Sequence, residues 1–132
     1  MSEDLNRLVE AARVAREKAH APFSNFKVGA ALLTETGEIF KGCNVENASY
    51  GLTMCAERVA IFKAVSEGER KFTRIAIVGD TEVLTTPCGA CLQIIWEFCG
   101  DIPVTLANLT DKIETVKMKE LLPRAFDSKF LE

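Results

Sequence analysis

The order of apolar and polar positions divides the chain into short amphipathic units. Across residues 4–20, Leu5, Leu8, Val9, Ala12 and Ala15 recur at helical spacing among charged residues, which predicts an amphipathic helix ended by Pro22. Residues 27–33 and 38–44 are strand-like runs. The turn-forming Thr34-Glu35-Thr36-Gly37 segment between them, whose glycine tolerates a positive φ, makes them a predicted hairpin. Residues 44–53 are polar and without a period, so they read as a loop, where a rigid scaffold tends to carry binding groups. A second helix is predicted over 55–67, stopping at Gly68 and burying Val59, Ala60, Phe62 and Ala64. The β-branched, mostly apolar run 72–79 follows as a central strand. A third helix is predicted from near Cys88 to Gly100, then strands over 102–109 and 113–117 around a Thr110-Asp111 turn, then a short helix over 119–122 before Pro123. This order implies an α/β fold in three layers, a mixed five-stranded sheet with helices on both faces.

Composition narrows the function. At 132 residues the chain suits one domain, 1–132, with one core. A net charge of −3 argues against nucleic acid, because a phosphate backbone needs a clustered excess of Lys and Arg, and so favours a small-molecule substrate. Residues 1–20 alternate charged and apolar positions and hold no unbroken hydrophobic segment. They resemble neither a secretory signal nor a membrane span, so a cytoplasmic location and no membrane partner are expected. In that reducing compartment the five cysteines, at 43, 55, 88, 91 and 99, are poor candidates for disulfides. Cys99, in an apolar stretch, and Cys43, at a strand end, read as small buried hydrophobes.

Cys55, Cys88 and Cys91 read differently. Cys55-Ala56-Glu57 and Pro87-Cys88-Gly89-Ala90-Cys91 together offer three soft ligands and a spare carboxylate, which suits a zinc ion that keeps its fourth position open for water. This is the signature of zinc-dependent nucleobase deaminases. Residues two apart on a helix body point about 200° apart, so Cys55 and Glu57 serve one site only from the first turn. Two helix N-termini are therefore expected to converge on one ion, their dipoles favouring thiolate. Three thiolates leave the site with a formal charge of −1, which Arg58 offsets if it donates hydrogen bonds to the sulfurs; the alternative is a surface arginine. Gln93 carries the same two readings. Glu57 beside thiolates is repelled unless its charge is used, which points to a general acid and base rather than a solvated residue at a helix start. A fourth ligand from Cys43 or from His20, the only histidine, would instead close the site into a structural zinc.

Beyond these motifs, nearly the whole chain resembles the small, homotetrameric type of cytidine deaminase. The similar stretches run from Phe23 to Leu32, from Gly42 to Tyr50, through both cysteine motifs, and through Glu120-Leu121-Leu122-Pro123. The resemblance implies hydrolysis of cytidine and 2′-deoxycytidine to uridine and 2′-deoxyuridine with release of ammonia, in pyrimidine salvage, with one zinc per subunit. It also implies a homotetramer with sites completed across subunits. Asn44 and Glu46 match the pair that grips the ribose hydroxyls, a role suited to an amide that donates and accepts and to an ionised carboxylate. Phe26 matches a pocket phenylalanine, the backbone near Ala56 a contact to the base, and Phe126 a residue reaching the base from a neighbouring subunit. By frequency, either phenylalanine could equally be core. One departure stands after the second motif, where the family commonly has arginine before glutamine and this chain has Leu92-Gln93. Three rivals remain: deamination of another cytosine nucleoside such as blasticidin S, a non-catalytic domain with closed zinc, and, least favoured by the acidic chain, nucleic-acid editing.

Overall fold

The computed structural model describes residues 3–131. It contains α1 (Glu3–Arg16), β1 (Val28–Thr34), β2 (Ile39–Cys43), α2 (Ala56–Ser66), β3 (Phe72–Gly79), α3 (Gly89–Cys99), β4 (Pro103–Ala107), β5 (Ile113–Lys117) and α4 (Met118–Leu121). Short 3-10 turns lie at Tyr50–Leu52 and Ser128–Leu131. The sheet order is β2-β1-β3-β4-β5, with β3 and β4 parallel and the other pairs antiparallel. This is the expected mixed sheet, and the hairpin turns at Gly37, where φ is 94°.

Alternation along the strands separates the two faces. Ala30, Leu32, Ile75, Ile77, Val104 and Leu106 face a core shared with Ala60, Ile61 and Ala64 of α2 and Leu92 and Ile95 of α3. On the opposite face, Ala31, Ala76, Val78 and Ala107 pack against Leu8, Val9 and Ala12 of α1. Two glycines set how closely the helices lie. A Cβ on Gly29 would stand 2.0 Å from the Ala12 carbonyl oxygen, and one on Gly42 would stand 2.4 Å from the Ala56 oxygen. Each helix backbone therefore rests on bare strand backbone.

Four boundaries or faces differ from the sequence pattern. The first helix ends at Arg16, six residues before Pro22, because the His20 N–H leaves the helical path and donates to Asn44 O at 2.9 Å. Strand β4 stops at Ala107 because the buried Asn108 takes over the turn, its Oδ1 accepting from the Thr110 and Lys112 N–H groups. In α2 the buried face is Ala56, Glu57, Ala60, Ile61 and Ala64; Phe62 is exposed and meets Phe98 edge-on. The alanine face wins because Gly42 brings the sheet too near for larger side chains. The 3-10 turn at the C-terminal end was not foreseen. Among the described residues, no helix is long and apolar enough to cross a membrane.

Candidate metal and nucleoside site

The three sulfurs of Cys55, Cys88 and Cys91 lie within 4.8 Å of one another, and neither Cys43 nor His20 belongs to this cluster. Cys55 is the N-cap of α2 and Cys88 the N-cap of α3, both with extended backbone, and neither sulfur caps its own helix. Cys91 follows in the first turn of α3, fully buried. Two helix N-termini thus meet at one point, where their unpaired N–H groups and dipoles favour negative charge.

The protonation of the cluster shows what it is fit to hold. The Cys91 thiol donates to Cys55, which together with the Arg58 guanidinium pushes Cys55 down to about 5. That same bond, then burial and the Glu57 carboxylate, pushes Cys91 up. Three sulfurs this close together, with Cys55 favoured as thiolate, suit a dication. Zinc with bonds of about 2.3 Å in tetrahedral geometry needs sulfurs roughly 3.8 Å apart, inside the observed span. Arg58 Nη2 donates to Cys55 Sγ at 3.3 Å, while its Nε is buried without a partner among the described residues. Of the two sequence readings for Arg58, the sulfur-facing geometry is the one present.

Glu57, in the first turn of α2, is only 4% exposed. Burial, reinforced by the neighbouring Cys55 charge, pushes its carboxyl up to about 7. A group poised near neutrality both takes and gives a proton at physiological pH. Cys99 needs no such role: its thiol packs against the core and is pushed up to about 12 by burial alone.

The segment expected to meet the sugar is tied to the metal site by backbone. Val45 and Met54 form an antiparallel bridge with both N–H···O bonds at 2.9 Å, so residues 46–53 form a loop closed at Met54, the residue before Cys55. Asn44 is buried. Its Oδ1 accepts from Val28 N at 2.9 Å and its Nδ2 donates to Phe26 O at 2.8 Å, leaving one N–H and one lone pair for a ligand. Glu46 accepts from the Phe23 and Ser24 N–H groups and from the Ser24 hydroxyl, and these bonds, the hydroxyl's foremost, hold its carboxyl below the usual range. A cleft of roughly 320 Å³ opens here, lined by Phe23, Ser24, Glu46, Asn47, Tyr50 and Thr53. Phe26 follows Asn25, whose φ is 58°, and its ring tip lies 3.6 Å from where a Gly79 Cβ would be, beside Thr85 on the way to Cys88. Ala56, fully buried, is the first residue of α2.

Phe126 lies outside the core, 54% exposed, stacked on Phe130. The two sequence readings of Gln93 both give way to a third: its amide bonds the backbone of Phe126. Leu92 is buried in the core, so the position commonly held by arginine is filled here by packing. Sequence reasoning missed Ser24, which holds Glu46; a serine followed by asparagine before the strand was the available turn signal.

Residues 2–106 match the cytidine and deoxycytidylate deaminase zinc-binding region. The chain belongs to this family. A cytidine deaminase of Sporosarcina psychrophila is 52% identical, with 97% of this chain and 95% of that protein covered. One from Halalkalibacterium halodurans is also 52% identical, covering 93% and 94%. The 1.6 Å crystal structure of cytidine deaminase from Burkholderia pseudomallei has a TM-score of 0.89 at 51% identity, covering 96% of this chain and all of that one. Zinc is the family's metal, and Cys55, Cys88 and Cys91 are the residues placed to hold it.

Proposed function

We propose that this chain hydrolyses cytidine and 2′-deoxycytidine to uridine and 2′-deoxyuridine with release of ammonia, in pyrimidine salvage in the cytoplasm. The observation that carries this reading is a buried carboxyl, Glu57, beside three clustered cysteines at two helix N-termini, in a chain half identical to cytidine deaminases. When bound, zinc supplies the Lewis acidity that lets water act as a nucleophile near neutral pH. Glu57 takes one proton of the attacking water and delivers it to ring N3 as the oxygen bonds to C4, then moves the second proton from the C4 hydroxyl to the amine, and the C4–N bond breaks to release ammonia. Arg58 withdraws charge from the sulfurs. Asn44, through its remaining N–H, and Glu46 hold the ribose hydroxyls, and Phe26 and the backbone at Ala56 bound the base. The exposed aromatics Phe23, Tyr50 and Phe126 support assembly as a homotetramer, with each site completed by a neighbour.

Ammonia release from cytidine, 2′-deoxycytidine, cytosine and blasticidin S, with and without a chelator, tests the assignment. Turnover of the first two, abolished by metal removal and restored by zinc, is expected. Preference for cytosine or blasticidin S defeats the ribose assignment, and metal without turnover of any substrate favours a closed structural site. Glu46→Gln should lower kcat/KM for cytidine about tenfold to a hundredfold, the cost of weakening a charged hydrogen bond, and leave turnover of cytosine unaltered.

A further inference from the structure

The C-terminal tail is fastened to α3 in a way that its apolar side chains do not explain. Phe126, Phe130 and Leu131 are 54%, 69% and 77% exposed, so burial of these groups is not what holds the segment down. Polar bonds do. The Gln93 side chain meets both backbone groups of one residue: Nε2 donates to Phe126 O at 2.6 Å and Oε1 accepts from Phe126 N at 3.3 Å. An amide paired in this way reproduces a strand's backbone bridge and fixes the orientation of the residue it grips. Three positions along α3, on the same face, Trp96 Nε1 donates to Asp127 Oδ2 at 3.2 Å. The other Asp127 oxygen accepts from Lys129 N, and its carbonyl accepts from Phe130 N, closing the last 3-10 turn. That turn brings the Phe130 ring parallel to the Phe126 ring, with centroids 5.2 Å apart.

We infer that Gln93 is a positioning residue for the deamination, aiming the Phe126 ring outward through its backbone, with Trp96 and Asp127 fixing the turn behind it. The inference rests on the proposed role of Phe126 against the base. Helix α3 then serves at two levels. Its first turn carries Cys88 and Cys91 of this subunit's site, and its next turn carries the clamp on the ring offered to a neighbour's site, so one rigid element serves two sites of the assembly. A polar clamp suits this purpose because it orders the tail without burying the ring that must stay available.

The test is a double-mutant cycle on the zinc-loaded, assembled protein, reading KM and kcat for cytidine together with metal content. Gln93→Ala should raise KM about tenfold, the low end of what one base–aromatic stack is worth, with kcat within about threefold and zinc still one per chain. Gln93→Glu, of the same size, sets a carboxylate against the Phe126 carbonyl and should give the same rise. Phe126→Ala should raise KM at least as much, and adding Gln93→Ala to it should change nothing further. If Phe126→Ala raises KM and the Gln93 variants do not, the clamp is overturned while the role of Phe126 stands. If Phe126→Ala leaves KM unaltered, the role of Phe126 falls and takes the clamp with it. Zinc loss in the Gln93 variants, or an added effect in the double variant, assigns Gln93 to another task and overturns the inference.

Discussion

Replacing Glu57 with alanine is expected to leave zinc bound and to lower kcat for cytidine by about 100- to 10,000-fold, the contribution of a general acid and base. Metal survives because its three ligands are sulfurs on other positions. Activity does not, because the water proton loses its acceptor. Alanine also removes buried volume, since Glu57 is 4% exposed, so Glu57→Gln is the cleaner variant. It keeps the shape and loses only the titration. The same large loss in both variants locates the defect in proton transfer; full activity in either, with stoichiometric metal, removes Glu57 from the mechanism.

The second large effect lies in the fold beneath the site. A methyl group on Gly42 would stand 2.4 Å from Ala56 O and 2.6 Å from Ala60 N, both backbone atoms that cannot rotate away. Gly42→Ala must therefore push α2 off the sheet, and Cys55 and Glu57 sit at the end of α2 that moves. Overpacking of this kind costs about 1–3 kcal/mol, a fall in Tm of roughly 4–11 °C for a chain of this size. Zinc should also exchange faster, since one of three ligands is carried with the helix. Gly51→Ala, where no atom of the described residues lies within 4 Å of the added carbon, is the control and should alter neither. A Gly42→Ala protein with unchanged Tm and metal exchange would show that α2 adjusts without cost.

These two positions also mark how far the sequence could be read. Glu57 was legible because metal chemistry restricts residue type and spacing: C-x-E at one helix start and C-x-x-C at another leave few alternatives. The succession of five strands along the chain was legible from period and turn residues, as was the hairpin turn at Gly37; their order across the sheet was not. Gly42 was not, since a glycine in a strand gives no hint of which helix it admits. Long-range backbone bonds were equally hidden. The His20 N–H that bonds Asn44 O ended α1 early, and the Val45–Met54 bridge tied the 46–53 loop to Cys55, yet backbone groups are the same at every residue. Gln93 was ambiguous for a related reason, because its partner is the main chain of Phe126, thirty-three positions away. Propensity sees neighbours, whereas these contacts depend on the finished sheet.

X-ray absorption at the zinc edge of the loaded protein tests the central claim most directly. Three sulfur scatterers and one oxygen from solvent are predicted, with the oxygen displaced when a substrate analogue binds. Four protein ligands, whether a fourth sulfur or a histidine nitrogen, would contradict it.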